Sequence, residues 1–134
     1  MDAALREFVR HRASFRCEYC LLPQDVAGYP HHIEHIVAKK HGGLDEPDNL
    51  ALACHRCNLC KGPNLAGLDP ETQALVPLFH PRRERWHEHF RWKGAWMEGE
   101  TPTGRATIAV LRMNDWRRLE LRAELLLRTD FRSD

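Results

Sequence analysis

Lysine is scarce in this chain. Of 134 residues 20 are basic, and only Lys39, Lys40, Lys61 and Lys93 are lysine; the other 16 are arginine. An excess of one charge is lacking as well: 19 acidic residues leave a formal net charge of +1. No global field therefore announces a polyanionic partner, and attraction for one must come from local clusters. Apolar runs fall well short of the ~20 residues that cross a bilayer, which excludes a helical membrane span. The opening Met1-Asp2-Ala3-Ala4-Leu5-Arg6-Glu7 lacks the basic start and apolar stretch of a secretory signal, so a cytoplasmic location is expected. Internal repeats and low-complexity tracts are missing too. With 43% hydrophobic and 29% charged residues the chain is not of the disordered class. Its length predicts one domain over residues 1–134.

What the chain has is cysteine and histidine, unevenly spread. All five cysteines and five of nine histidines lie between residues 17 and 60. Cys17-Glu18-Tyr19-Cys20 and Cys54-His55-Arg56-Cys57 are two C-x2-C pairs, with 33 residues between them. Two such pairs supply the tetrahedral thiolate set that Zn²⁺ takes in structural sites. Two disulfides suit a reducing cytosol poorly, and a redox motif needs only one pair. A four-thiolate zinc is coordinatively closed, so its work is to pin what lies between the pairs. Cys60 reads as a free thiol on the helix after the second pair.

In the pinned segment, Pro30–Val37 alternates as a strand does. His41-Gly42-Gly43 signals a turn. Asp45–Leu50 is a short polar stretch ending in Asn49, and Leu50-Ala51-Leu52-Ala53 is a short apolar run entering the second pair. The residues from Cys57 to Lys61 read as a helix that stops at Gly62-Pro63. The order is strand, loop, strand, helix.

Glu34-His35-Ile36, Gly42-Gly43, Asn49-Leu50, Cys54-x2-Cys57-Asn58 and Lys61-Gly62, in this order and spacing, resemble an HNH endonuclease over about residues 17 to 64. The resemblance implies a ββα-metal fold in which His35 is the general base that activates water. It implies that Glu34 and Asn58 hold a catalytic divalent metal, and that Asn49 bonds backbone and steadies the loop carrying the base. The family often has Asp before the base and His at the last position; this chain has Glu and Asn. Both keep an oxygen ligand, which suits Mg²⁺ or Mn²⁺ better than a second Zn²⁺. The chemistry is coherent by itself. Phosphodiester hydrolysis needs an activated water and relief of charge, and histidine titrates near neutrality. Neighbouring strand residues face opposite ways, so Glu34 and His35 share one site only if the strand ends or bends there. His32, His41 and His55 receive no role.

The flanks are less specific. Residues 2–13 predict a helix with Leu5, Phe8, Val9 and Arg12 on one face, packed on the zinc knuckle. Leu75–Phe79 reads as a strand interrupted by Pro77, and His89–Gly99 as a hairpin. Arg82, Arg83 and Arg85, interleaved with Trp86, Phe90 and Trp92, are candidates for gripping a nucleic-acid backbone, with Lys61 as a further phosphate contact. Thr103–Met113 and a helix capped by Asn114 or Asp115 close the chain, the second with Trp116, Leu119, Ala123 and Leu126 on one face. Its surplus leucines predict a homodimer through this C-terminal helix.

The expectation is thus an α+β protein: a ββα-metal HNH core over 17–64, stabilised by a zinc knuckle, and an extension over 65–134. The expected function is metal-dependent hydrolysis of phosphodiester bonds in DNA, most simply double-stranded, with no membrane partner. The rival is a zinc-stabilised nucleic-acid-binding module without catalysis; a zinc-held protein-interaction domain is a third reading.

Overall fold

The computed structural model describes residues 1–128. They form helices and three two-stranded antiparallel sheets, an α+β arrangement, gathered into two compact units. The first unit is Met1–Leu65 with His80–Arg83; the second is Ala66–Phe79 with the chain from Glu84 on.

In the first unit, helix α1 (Ala3–Arg12) starts on Asp2, whose side chain accepts from the Leu5 amide at 2.8 Å. Strands β1 (His32–His35) and β2 (Leu50–Ala53) pair with Glu34 opposite Ala51 and His35 opposite Leu50. Helix α2 (His55–Lys61) follows β2 directly and ends at Gly62, whose φ of 51° suits a residue without Cβ. Strand, loop, strand and helix therefore stand in the expected order. The helix begins earlier than expected, because the Cys54 thiol caps it by accepting from the Cys57 amide.

Helix α1 rests on the hairpin. Val9 packs with Leu50 and Leu52 of the hairpin, all fully buried, and Leu5, Ala13 and Ile33 close around them. Burying each such side chain stabilises by about 1.5–3 kcal/mol, so apolar area decides where α1 docks. Arg12 adds polar ties to the hairpin, donating to the carbonyls of Pro47 (2.9 Å) and Leu50 (2.7 Å). Phe8, expected inside, is 51% exposed.

The second unit has hairpin β3 (Ala66–Leu68) with β4 (Leu75–Pro77), the short helix α3 (Trp86–His89), hairpin β5 (Phe90–Lys93) with β6 (Trp96–Gly99), and helices α4 (Pro102–Val110) and α5 (Trp116–Arg128). Phe79, Phe90, Met97, Ala106, Leu111, Met113 and Leu125 are its interior. Strand β3 has no alternation to announce it, and β4 ends at Pro77, which leaves Leu78 and Phe79 free to bury.

The buried face of α5 is not the expected one. Arg118, Arg122 and Leu125 turn inward, whereas Trp116 is 65% exposed. Arginine is tolerated inside because its donors are used. Arg118 bonds the Leu111 carbonyl at 2.7 Å, and Arg122 bonds the Ala95 carbonyl at 2.9 Å and Asn114 at 3.1 Å while lying over the Trp92 ring. With Leu125 inside, the leucine surplus expected to support a dimer is reduced on the outer face.

No helix among the described residues is long and apolar enough to cross a membrane.

Candidate metal centre and catalytic cleft

The ligand atoms of Cys17, Cys20, Cys54 and Cys57 all lie within 4.8 Å of one another, and all four residues are buried. The first pair sits on a tight reversal: Cys17 and Leu22 share a backbone bond of 2.9 Å, and Leu21 takes a φ of 67° at the bend. Cys20 Sγ and Cys54 Sγ are 3.7 Å apart. Tetrahedral Zn²⁺ with bonds of about 2.3 Å would set its sulfurs ~3.8 Å apart, so the donors and their spacing fit a structural zinc. Burial pushes the Cys17 and Cys57 thiols well up. A dication supplies the charge that lets such thiols exist as thiolates. Cys60 stands on α2, half-buried, outside this cluster.

His35 closes β1, and the chain bends immediately after it. Its Nε2 lies 2.6 Å from Oδ1 of Asp45. That contact holds the Asp45 carboxyl below its ordinary value, with help from Lys39 at 3.7 Å. With Asp45 ionised, Nε2 is the nitrogen that donates to it. His35 and Asp45 border a cleft of about 410 Å³ that Arg6, Arg10, His32 and Lys39 also line. Asp45 and the two α1 arginines were not legible as site residues, since no motif spacing links them to His35.

Asn49 spans the loop between the strands. Its Oδ1 accepts from the Val37 amide (2.9 Å), and its Nδ2 donates to the carbonyls of Val37 and Leu44 (both 3.0 Å). Gly43 is required beneath it, because a Cβ there would collide with the Val37 carbonyl and crowd Asn49 Nδ2. The ladder fixes the backbone leaving His35.

Glu34 departs from expectation. It faces away from His35 and is 5% exposed. Its Oε1 accepts from the Tyr19 hydroxyl at 2.6 Å, and its Oε2 lies 2.7 Å from Lys61 Nζ. Lys61 is itself 2% exposed and donates to the Ile36 carbonyl at 2.9 Å. Burial raises the Glu34 carboxyl and Lys61 opposes that rise; burial and Glu34 push the Tyr19 hydroxyl well up. Glu34 could hold a catalytic divalent ion together with Asn58 only if Lys61 gave up Oε2. The ion would otherwise share a carboxylate with a buried ammonium, and their repulsion is strongest where the dielectric is low. Asn58 itself is half-buried on α2. Lys61, expected to meet a phosphate, is instead the internal counter-ion of Glu34.

Arg82 is corrected in the same way. Its guanidinium is paired with Glu18, which also accepts from the Leu52 amide at 2.9 Å. Burial, with Arg12 nearby, pushes Arg82 down to about 10. It ties residues 80–83 to the knuckle, and only 14% of its side chain is exposed. Arg83 and Arg85 are exposed. The aromatic residues among them form a cluster: Phe90 is buried, and the Trp86 ring lies 5.2 Å from it and 5.8 Å from Trp92.

Residues 17–64 match the family model described as HNH endonuclease. The match takes in both cysteine pairs, β1, β2 and α2, a little over a third of the chain. Neither a curated protein nor a solved structure matches. The segment is thus similar to HNH endonucleases, with four thiols positioned to hold a metal, and the similarity suggests a nuclease-type function.

Proposed function

We propose that this protein hydrolyses phosphodiester bonds in DNA, with His35 as the general base. The observation that carries the reading is the His35–Asp45 pair at the edge of a cleft bearing Arg6, Arg10 and Lys39. Asp45 fixes the tautomer, and Nδ1 takes the proton of the attacking water. Arg6, Arg10 and Lys39 neutralise the phosphate, and arginine is suited to gripping two of its oxygens. Asn49 is a positioning residue that holds the backbone after His35. Asn58 on α2 is a proposed ligand of a catalytic Mg²⁺ or Mn²⁺, and Glu34 and Lys61 form a buried pair. Exposed Arg83 and Arg85 are further backbone contacts, which position DNA without reading its sequence. A structural zinc in the knuckle and a reducing, cytoplasmic setting belong to the same proposal.

The sequestered Glu34 favours one alternative, a module that binds nucleic acid without cutting it. Incubating zinc-loaded protein with supercoiled plasmid, in separate reactions with Mg²⁺ and Mn²⁺, separates the two. Nicked or linear product is expected from a nuclease. Retarded but uncut plasmid under both conditions would establish the binding module instead.

A further inference from the structure

We propose that His32 and His55 form a second metal site, selective for a nitrogen-loving transition metal and set between β1 and α2. His32 Nε2 and His55 Nδ1 lie 3.3 Å apart, with ring centroids at 5.4 Å and planes inclined by 38°. One ring comes from the strand and the other from the first turn of the helix, so the fold itself brings them together. Tyr29 packs its ring edge on His55 at 5.4 Å, which limits how far that imidazole can swing.

Two neutral imidazoles at this distance share a single hydrogen bond, which uses only one acceptor lone pair. A metal uses both. With metal–nitrogen bonds of about 2.05 Å, the observed 3.3 Å separation subtends ~107° at the ion, close to the tetrahedral angle. Water fills the rest, an open coordination that leaves room for a phosphate oxygen.

The donor set decides the metal. Two imidazoles suit Zn²⁺, Ni²⁺ or Co²⁺, whereas Mg²⁺ prefers oxygen alone. His32 also borders the cleft that holds His35 and Asp45. Glu34, on the same strand face two residues on, already has Lys61 as its cation and is not needed as a ligand. The service of this ion to catalysis rests on the nuclease reading; its binding does not.

Calorimetric titration with Ni²⁺ tests the binding without nucleic acid. The protein carries no affinity tag, and its knuckle is filled with zinc beforehand. One further ion per chain is expected. His32→Gln and His55→Gln, each verified to retain one zinc by elemental analysis and a native far-UV spectrum, should each bind it about tenfold or more weakly. Glutamine preserves a polar contact at the pair, so both variants are expected to fold. His35→Ala should bind Ni²⁺ as the wild type does. No additional ion, or unchanged affinity in either glutamine variant, would overturn the site. Ni²⁺ binding by a protein that leaves plasmid intact would uphold the site and refute the nuclease.

Discussion

The buried Glu34–Lys61 pair shows how one side chain's partner changes its role. A carboxylate and an ammonium that are both nearly inaccessible are tolerated because each is compensated, Glu34 by Lys61 and Tyr19, Lys61 by Glu34 and the Ile36 carbonyl. Removing one partner strands the other, which costs about 3–5 kcal/mol in a buried pair. Lys61→Met is therefore expected to lower unfolding free energy by about that amount in urea titrations of the zinc-loaded protein. A loss below ~1 kcal/mol is the range of an exposed pair, and would return Lys61 to the surface and to phosphate. The tetrad of Cys17, Cys20, Cys54 and Cys57 was legible because ligand spacing survives translation into structure. Glu34 was not, because whether a carboxylate is open or capped depends on Tyr19 and Lys61, which no local pattern joins to it.

At the scale of elements, the knuckle holds the hairpin and α2 together from both ends of the segment. Structural zinc contributes about 10–16 kcal/mol in small zinc-finger peptides. Cys20→Ser should lose its zinc and the folded hairpin, and Cys60→Ser should keep both; elemental analysis with circular dichroism reads the pair. Zinc loss from Cys60→Ser would mean that the fourth ligand is wrongly chosen. In the other unit, Arg105 grips Asp69 through two bonds of 2.9 Å and holds its carboxyl well below the usual carboxylate range. The folded state thus binds that proton less readily than the unfolded one. The pair stabilises above the unfolded value of about 3.9, and its contribution is lost as pH falls toward the depressed folded value. Trp86, Trp92, Trp96 and Trp116 all belong to this unit and report its melting. Asp69→Asn should melt lower than wild type at neutral pH, with the deficit narrowing below pH ~4. A deficit constant across that range would deny Asp69 this role. The strands and helix of the HNH segment were readable from alternation and breakers. Strand β3 was not, at three residues with a central glycine, nor was the inner face of α5. There two arginines occupy core positions that a hydrophobicity pattern assigns to leucine and alanine.

Over the whole molecule, a net charge of +1 gives no reason for nucleic-acid affinity; under the proposed function, locally placed arginines supply it. Arg83 and Arg85 are exposed and Arg82 is not. Replacing Arg83 and Arg85 together should flatten the plot of log affinity against log salt by up to about 1.8, or ~0.9 for each phosphate that is no longer neutralised. Replacing Arg82 should leave that slope unchanged and lower stability instead, since it strands Glu18. An unaltered slope in the double variant would confine the DNA footprint to Arg6, Arg10 and Lys39.

The most direct measurement is single-turnover cleavage of supercoiled plasmid, at low salt and protein excess, by wild type, His35→Ala and Asp45→Asn. A general base contributes about 10²–10⁴-fold, so His35→Ala should cut that much more slowly with DNA affinity intact. Asparagine at position 45 can present an amide N–H to Nε2, which moves the ring proton to Nδ1 and removes the acceptor. Asp45→Asn should therefore be impaired as well, but less, because the imidazole remains. A His35→Ala protein that cuts at the wild-type rate would contradict the assignment of His35 as the base.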